Sequence, residues 1–595
     1  MCGIAGLWSF GGGDSAELRA RAASMAGRLR HRGPDDEGVF VDGGVALGFR
    51  RLAIIDLTSA GAQPMTIGRY TIVFNGEVYN AERLRRELPA REWRGHSDTE
   101  VMLACIEEWG LVRAIESFIG MFAFALWDAK ERRLTLVRDR MGVKPLYYAL
   151  DAHGLQFASE LHALDVERRL DRGAVALYGR YGYVPAPWSI FEGVRKLPPG
   201  CLLEVHADGR AEVRTWWSAA QVAERAAANR FQGTEREAVD RLEELLADAV
   251  RLRMISDVPL GVFFSGGIDS GVVAALMQRE ASAPVRTFTI GFEDRRYDEA
   301  PLAAEAAAHL GTEHTAAYIS ARETLELIPQ LGRLTDEPLG DSSLVPMYLV
   351  SRMARQSVTV ALSGDGGDEL FAGYHRHFLG ARVQRRVASV PRLMRPALGR
   401  LLRKRERFRA LGNALMTDDP LKLFHAQVSL GHALMKGAVP PVALTSREAW
   451  PRLDDATELI LWLDAVSYLP DDILFKVDRA SMAVSLEARE PLLDHRVVEF
   501  AWSLPLSLKI RNDRGKYVLK EVLRRYLPDA MVDREKQGFG LPTAEWLRGP
   551  LREWAESLIA RVEHFEGVDA MWRAHLAGED QPLLWRVLMF QQWLG

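Results

Sequence analysis

Short apolar runs, separated by glycine-rich turns and alanine-rich segments, dominate the second half of the chain. Residues 258–264 predict a buried strand, and residues 271–277 have helical composition. Apolar runs at 285–290 and 358–362 predict two further strands, with an alanine-rich helix between them at 299–310. Strands that alternate with helices form parallel sheets, and ligands bind at the carboxyl ends of such strands. We therefore predict an α/β fold for this half.

The segment before this sheet has a one-sided apolar pattern over about 235–252. Its apolar positions share the three- and four-residue spacing of one helix face: Leu242, Leu245, Leu246, Ala249 and Val250. We expect a helix that buries this face.

The first third of the chain alternates short strands and helices. Residues 72–80 predict a strand that runs into an Asn-Gly turn, because Asn-Gly is a common hairpin signal. Residues 51–56 predict a strand with a cation at its start. Asp98 stands at or near the N-cap of a helical run. Turns, caps and surface charges are the plain interpretation of each segment.

Composition narrows the class of protein. The 595 residues are 48% hydrophobic and 26% charged, which suits a globular protein with a large core. The net charge of −4 gives no general attraction to nucleic acid or to anionic membranes. Cys2, Cys105 and Cys201 have neither metal-ligand spacing nor a disulfide pattern. Without a long apolar span or a signal sequence, we expect a cytoplasmic protein.

The segment 265–270 reads Ser-Gly-Gly-Ile-Asp-Ser and connects a predicted strand to a predicted helix. Adjacent glycines let the backbone approach an anion, and the N–H groups of a helix start hold phosphate oxygens. The plain alternative is an ordinary glycine turn. The segment resembles the pyrophosphate loop of enzymes that cleave ATP between its α and β phosphates. The resemblance implies phosphate contacts from Ser265, Gly266, Gly267 and Ser270, and a Mg²⁺ contact from Asp269.

A second glycine-rich loop, Ser-Gly-Asp-Gly-Gly-Asp-Glu at 363–369, also follows an apolar strand. Both loops are expected at one edge of the sheet, so Asp269 and Asp368 could meet there. Mg²⁺ prefers one or two carboxylates together with substrate phosphates, which makes these two aspartates its candidate ligands. The alternative is an acidic glycine loop of another kind, such as a Ca²⁺-like turn.

Cys2 is the candidate nucleophile of the first third. Its small side chain normally permits removal of Met1, which leaves a free α-amine beside the thiol. Such an amine has a pKa near neutrality, so it can act as the general base for its own thiol. A buried small apolar residue is the alternative.

With its neighbours, Cys2 resembles the glutaminase domain of class II glutamine amidotransferases, which are N-terminal-nucleophile hydrolases. The resemblance runs to about residue 160 and includes Arg-Asp-x-x-Gly-x-Lys-Pro-Leu-Tyr at 138–147. It implies an αββα sandwich of two sheets between helices. The implied roles are an oxyanion hole from Asn75 and Gly76, a carboxylate grip from Arg51, and an ammonium site from Asp98 with Glu77.

Taken with the two glycine-rich loops, the chain resembles the glutamine-dependent asparagine synthetase family over nearly its whole length. This resemblance implies that ammonia released at Cys2 passes through an internal tunnel. It then displaces AMP from β-aspartyl-AMP, which forms from aspartate and ATP with Mg²⁺. Groups near the adenosine are implied to be Phe264, Ile290, Ser363 and Gly364. The substrates are then glutamine, aspartate and ATP. The sequence does not decide whether the chain forms a homodimer.

Three further residues complete the implied site. Asp365 stands where well-known members of the family carry glutamate, and its carboxylate is one methylene shorter. It is the candidate for positioning or deprotonating ammonia. The family has a lysine that contacts the phosphates and the acyl-adenylate. Lys520 is the first candidate for this lysine, and Lys516 is the second. The segments 469–482 and 485–494 resemble the family's helices that close over the acceptor, and 536–542 could add another cation.

We expect three parts: a glutaminase domain over 2–210, a linker over 211–235 and a synthetase domain over 236–595. The last includes a helical insertion over 375–455. Residues 375–409 hold twelve Lys or Arg against one acid, which predicts a solvated insertion or a docking face for an anion.

Two alternatives remain from the sequence. An enzyme of the same architecture could amidate another carboxylate, such as a sugar uronate, a peptide or a secondary-metabolite acid. A non-catalytic relative could bind glutamine and nucleotide without turnover, although the intact Cys2, Asn75, Asp269 and Asp368 argue against it. The related β-lactam-forming enzymes usually lack the nucleophilic cysteine.

Overall fold

The structure is a computed structural model that describes residues 2–292, 298–378, 390–391, 393–403, 412, 415–416, 420–428, 439–534 and 541–595. About half of the basic segment 375–409, and Lys536 with its neighbours to Gly540, lie outside the described residues. All three cysteines of the chain are free. Over the described part, no helix combines the length and the apolar character needed to cross a membrane.

The described strands are, in chain order, β1 (Gly3–Ser9), β2 (Asp36–Asp42), β3 (Val45–Arg51), β4 (Met65–Ile67), β5 (Tyr70–Val78), β6 (Gly120–Asp128), β7 (Arg133–Arg138), β8 (Tyr147–Leu150), β9 (Gly154–Ala158), β10 (Val194–Lys196), β11 (Cys201–His206), β12 (Ala211–Thr215), β13 (Leu260–Phe263), β14 (Arg286–Phe292), β15 (Glu313–Ile319), β16 (Val360–Leu362) and β17 (Glu487–Arg489).

The described helices are α1 (Ser15–Gly27), α2 (Ala81–Glu87), α3 (Asp98–Trp109), α4 (Leu111–Ser117), α5 (Arg172–Tyr181), α6 (Ala219–Ala228), α7 (Glu235–Arg253), α8 (Ile268–Glu280), α9 (Ala300–Leu310), α10 (Ala321–Leu327), α11 (Leu344–Ala354), α12 (Gly367–Leu370), α13 (Arg395–Arg403), α14 (Pro420–Val428), α15 (Ala456–Leu463), α16 (Leu474–Met482), α17 (His495–Ser503), α18 (Leu506–Lys509), α19 (Tyr517–Leu523), α20 (Asp529–Val532), α21 (Thr543–Arg548), α22 (Arg552–Ile559), α23 (Val568–Leu576) and α24 (Pro582–Leu594). A wider-wound π-helical segment, Asp464–Ile473, connects α15 to α16.

Two antiparallel sheets of six strands form the first third, in the orders β10-β8-β9-β1-β3-β2 and β12-β11-β7-β6-β5-β4. Their inner faces share one apolar core, with Ile4 and Phe49 from one sheet and Ala125 and Leu136 from the other. Helix α1 packs on the outer face of the first sheet, and α3 packs on the outer face of the second. This is the predicted αββα arrangement.

A parallel five-stranded sheet, in the order β15-β14-β13-β16-β17, organises the second half. Helix α7 begins at a capping box formed by Thr234 and Glu237, which satisfies backbone N–H groups at the helix start. It buries Leu242, Leu246 and Ala249, as the apolar spacing predicted. The α/β prediction for this half is confirmed. Residues expected to form a linker include β12, which pairs with β11, and α6.

Three local predictions were wrong. Arg51 ends β3 instead of starting a strand, because Asp56 adopts φ +56° and its carboxylate accepts the N–H groups of Thr58 and His96. The buried side chains of Leu52 and Ile54 produced the strand-like pattern there.

Asn75 and Gly76 form no turn, because β5 continues through both residues and pairs with β6 along its whole length. The segment 485–494 contains the edge strand β17 and a single 3-10 turn, whereas we expected helices. This strand extends the parallel sheet, because residues 487–489 pair in register with β16.

Candidate functional site

Cys2 precedes β1, which lies inside the first sheet between β3 and β9. Its backbone N–H donates to Oδ1 of Asn75 at 3.0 Å, and its Sγ lies 3.9 Å from the Leu52 carbonyl oxygen. Burial raises the pKa of the Cys2 thiol to about 11. The thiol is therefore protonated at neutral pH and needs a base to become a nucleophile.

Asn75 and Gly76 lie beside Cys2 on β5. The side chain of Asn75 is fully buried, and its Nδ2 has no hydrogen-bond partner among the described residues. Gly76 adopts φ +149°, and a Cβ there would lie 2.0 Å from the Met121 carbonyl oxygen, so only glycine fits. A buried amide donor without an acceptor is suited to an oxyanion that forms only during reaction.

Two buried carboxylates lie close to Asn75 and Gly76. Glu77 follows Gly76 on β5, and Asp98 contacts Val78, the next residue of that strand. Asp98 opens α3 after the N-cap Ser97, and it accepts the Val78 N–H at 2.8 Å. Burial raises the pKa of Asp98 to about 6. Burial, with the nearby charge of Asp98, raises the pKa of Glu77 well above its ordinary value. Oε2 of Glu77 has no hydrogen-bond partner within the described chain. The two carboxylates therefore favour the binding of a cation beside them.

Arg51 is buried at the end of β3. Its guanidinium donates to the carbonyl oxygens of Thr58, at 2.9 Å, and of Asp56. These two contacts fix the planar fork next to Leu52, whose carbonyl the Cys2 thiol approaches. The predicted glutaminase residues therefore come from adjacent parts of the fold.

In the second half, the 265–270 loop connects β13 to the start of α8. Gly266 adopts φ +72°, and Gly267 is the N-cap. The Oγ atoms of Ser265 and Ser270 lie 3.1 Å apart, and the Gly267 N–H donates to Ser265 Oγ at 3.3 Å. The hydroxyls and the helix start thus surround one concave turn, as a phosphate site requires.

The two glycine-rich loops are in direct contact. A Cβ on Gly364 would lie 2.6 Å from the Ser270 nitrogen, so only glycine lets the loops approach this closely. Lys516 bridges the loops: its Nζ contacts Asp269 and lies 2.6 Å from Oδ1 of Asp368. Burial opposes the charge of Lys516, but the two carboxylates outweigh it and raise its pKa above the ordinary value. The predicted convergence of Asp269 and Asp368 is therefore present.

Both loops line a cavity of about 1100 Å³. The residues expected near adenosine all line it: Phe264, Ile290, Ser363 and Gly364. Asp365 also lines it, and its Oδ2 accepts a hydrogen bond from the Ser363 hydroxyl at 2.7 Å. Lys520 lines the cavity with its Nζ 3.9 Å from Asp533, and burial lowers its pKa.

The sequence did not single out Arg489, which joins the two halves. Its Nη2 lies 3.5 Å from Oε1 of Glu77, and its carbonyl oxygen accepts the Ser363 N–H at 2.9 Å. Arg32 makes a second connection, because it donates to Glu160 at 2.5 Å and to Asp478 at 2.7 Å. Each partner is far away in sequence, so no local spacing signals these contacts.

Comparison with known proteins agrees with this arrangement. Residues 241–595 match the asparagine synthase family, and residues 1–217 match the glutamine amidotransferase domain. The chain is 32% identical to "Asparagine synthetase [glutamine-hydrolyzing] 1" of Bacillus subtilis, across 100% of this chain and 96% of that protein. It is 34% identical to a putative glutamine-hydrolysing asparagine synthetase of Mycobacterium bovis, across 100% and 97%. It is 28% identical to amidase chyE of Penicillium rubens, across 96% and 94%.

Proposed function

Because this chain belongs to the asparagine synthase family, we propose that it is a glutamine-hydrolysing enzyme that makes asparagine from aspartate and ATP. One observation carries the proposal: a partly buried cysteine lies beside an unused amide donor in one half, and two glycine-rich loops of the phosphate-binding type touch in the other. The products are asparagine, glutamate, AMP and pyrophosphate. We place the reaction in the cytoplasm, where free cysteines persist.

In the first half, the α-amine of Cys2, freed by removal of Met1, takes the thiol proton. The thiolate attacks the side-chain carbonyl of glutamine, ammonia leaves, and water hydrolyses the thioester to glutamate. The Asn75 Nδ2 group and the Gly76 N–H stabilise the oxyanion. Glu77 and Asp98 hold the substrate ammonium.

Arg51 holds the carboxylate of glutamine through its planar guanidinium. The thiol depends on its own amine, because burial keeps its pKa too high for spontaneous ionisation.

In the second half, the β-carboxylate of aspartate attacks the α-phosphorus of ATP, and pyrophosphate leaves. Ser265, Ser270 and the N–H groups at the start of α8 bind the phosphates. The carboxylates of Asp269 and Asp368 converge on one cation, Lys516, and such an oxygen donor set also suits Mg²⁺. When bound, Mg²⁺ would neutralise phosphate charge there.

Ammonia then displaces AMP from the β-aspartyl-AMP. Asp365 faces the same cavity and is the proposed acceptor of the ammonia proton, with Lys520 and Lys516 near the phosphates. A small cavity between the halves supports the internal route for ammonia. Residues from both sides line it, including Met121, Val143, Glu490 and Leu493.

The assay supplies aspartate, glutamine and ATP and measures asparagine, AMP and pyrophosphate. Formation of ADP in place of AMP would refute the adenylation step. Pyrophosphate release that does not depend on aspartate would favour another acceptor, an alternative with the weaker support because the amidase relative is less similar.

Cys2→Ala separates the two halves of the reaction. The variant should lose the use of glutamine but keep synthesis from added ammonia, because the thiol serves only the first half. If the variant lost both activities, the proposed division between the halves would be wrong.

A further inference from the structure

Two histidines flank a buried glutamate, and the proposed reaction uses none of the three. His31 lies in the turn after α1, Glu160 follows β9, and His162 belongs to the 3-10 turn Leu161–Ala163. The Nε2 atom of His31 lies 3.1 Å from both carboxylate oxygens of Glu160. The Nδ1 atom of His162 lies 3.3 Å from Oε2. The three ligand-type atoms lie within 4.8 Å of one another.

The backbone sets which nitrogen of His162 carries the hydrogen. Its Nε2 lies 3.1 Å from the Arg28 carbonyl oxygen, which can only accept, so Nε2 must donate. In the neutral ring, Nδ1 then turns a lone pair toward the Glu160 carboxylate. Two acceptors that face each other at 3.3 Å repel, unless a proton or a metal ion lies between them. Histidine ligands in metal sites commonly donate their other ring N–H to a backbone carbonyl in this way.

The spacing from Glu160 to each histidine matches metal chelation. Zinc binds histidine nitrogen at about 2.0–2.1 Å with tetrahedral geometry, which separates neighbouring ligand atoms by about 3.3–3.4 Å. The distances from Glu160 to His31 and to His162, 3.1 and 3.3 Å, fit that separation after small adjustments.

Solvent access to the two histidines also suits a metal site. Both histidine side chains are 34% exposed, whereas Glu160 is 4% exposed. Solvent therefore reaches the imidazoles, and the carboxylate lies beneath them. Arg32 donates to Oε1 of Glu160, whereas Oε2 faces the nitrogen atoms of both histidines.

We propose that His31, Glu160 and His162 bind one divalent transition-metal ion of the zinc class. Two imidazoles and one carboxylate select such a borderline ion over Mg²⁺, which prefers oxygen ligands. The site is distinct from the pair Asp269 and Asp368.

Binding of this ion would stabilise the turn that holds Arg32. Arg32 follows His31 directly, and its Nε donates to the Cys2 carbonyl oxygen at 3.1 Å. The bound ion would therefore fix the backbone under the nucleophile, and a ligand that binds only the folded chain raises its melting temperature.

The test is equilibrium dialysis of the full chain against Zn²⁺ at neutral pH, after treatment with a chelator. The protein carries Cys2→Ala so that this thiol cannot bind zinc. We expect one zinc per chain, unaffected by millimolar Mg²⁺, and a rise in melting temperature. His31→Gln and His162→Gln should each weaken binding at least about ten-fold, as loss of a metal contact does.

His153→Gln is the matched control, because His153 is an exposed histidine of the same half. Its zinc affinity should equal that of the parent. Circular dichroism checks that every variant folds, and Co²⁺ in place of Zn²⁺ should give visible absorption that the two ligand variants lose. Absence of stoichiometric binding in the parent, or equal affinity in all variants, would overturn the proposal.

Discussion

Replacing Asn75 by alanine tests the proposed oxyanion hole directly. The change removes a fully buried amide whose Nδ2 donor has no partner in the described chain and whose Oδ1 accepts the Cys2 N–H at 3.0 Å. Because Nδ2 makes no ground-state hydrogen bond there, its contribution should come almost entirely in the transition state. Loss of one such donor costs about 2.7–4 kcal/mol, which is about 10²–10³ in rate.

The lost contact from Asn75 Oδ1 to the Cys2 N–H adds a smaller effect. A neutral hydrogen bond contributes about 1 kcal/mol net, so displacement of Cys2 alone would slow the reaction about five-fold. We therefore expect kcat for glutamine hydrolysis to fall at least about 100-fold, with a modest change in KM.

The assay measures glutamate release, and asparagine formation from added ammonia on the same preparation. Ammonia-dependent synthesis should stay within about two-fold of the parent, because Asn75 lies only in the glutaminase half. Asn229→Ala, at an exposed helix end, is the matched control and should change neither rate. A fall of less than about ten-fold, or an equal fall in both activities, would refute the assignment of Asn75.

Other predictions concern charge. Lys516→Met should lower the free energy of unfolding by about 3–5 kcal/mol in urea without Mg²⁺, because two mostly buried carboxylates lose their contact with this buried lysine. An unchanged unfolding midpoint would contradict this. Arg32→Leu should cost a similar amount, whereas the exposed Arg83→Leu should cost less than about 1 kcal/mol. Burial raises the pKa of Asp98 to about 6, so its carboxylate is neutral below that pH. The KM for glutamine should then rise as pH falls through 6, and a constant KM down to about pH 5.5 would disprove the role of Asp98.

Local patterns were enough to predict the elements that carry the phosphate loops. Helix α7 was predictable because its apolar spacing is regular, and the loop 265–270 because glycine, serine and aspartate follow a strand closely. The first-half strands were harder to delimit. Asn75 and Gly76 resembled a turn, since their place in mid-strand depends on pairing with β6, which lies more than 40 residues away.

Contacts between distant segments could not be predicted from spacing. Lys516 was our second choice, because only the folded chain brings it between Asp269 and Asp368. Arg489 was missed for the same reason: its partner Glu77 precedes it by more than 400 residues. The roles of individual site residues stay predictions until the variants are measured.

Arg489 has a thermodynamic consequence for the two substrates. Its carbonyl holds the Ser363 N–H of the nucleotide loop, while its guanidinium lies beside Glu77. If nucleotide binding shifts this loop, the electric field at Glu77, the proposed ammonium site, changes with it. Linkage is reciprocal, so whatever factor ATP applies to glutamine affinity, glutamine must apply to ATP affinity. With the two sites as proposed, a single arginine on an edge strand would couple the occupancy of one half to that of the other.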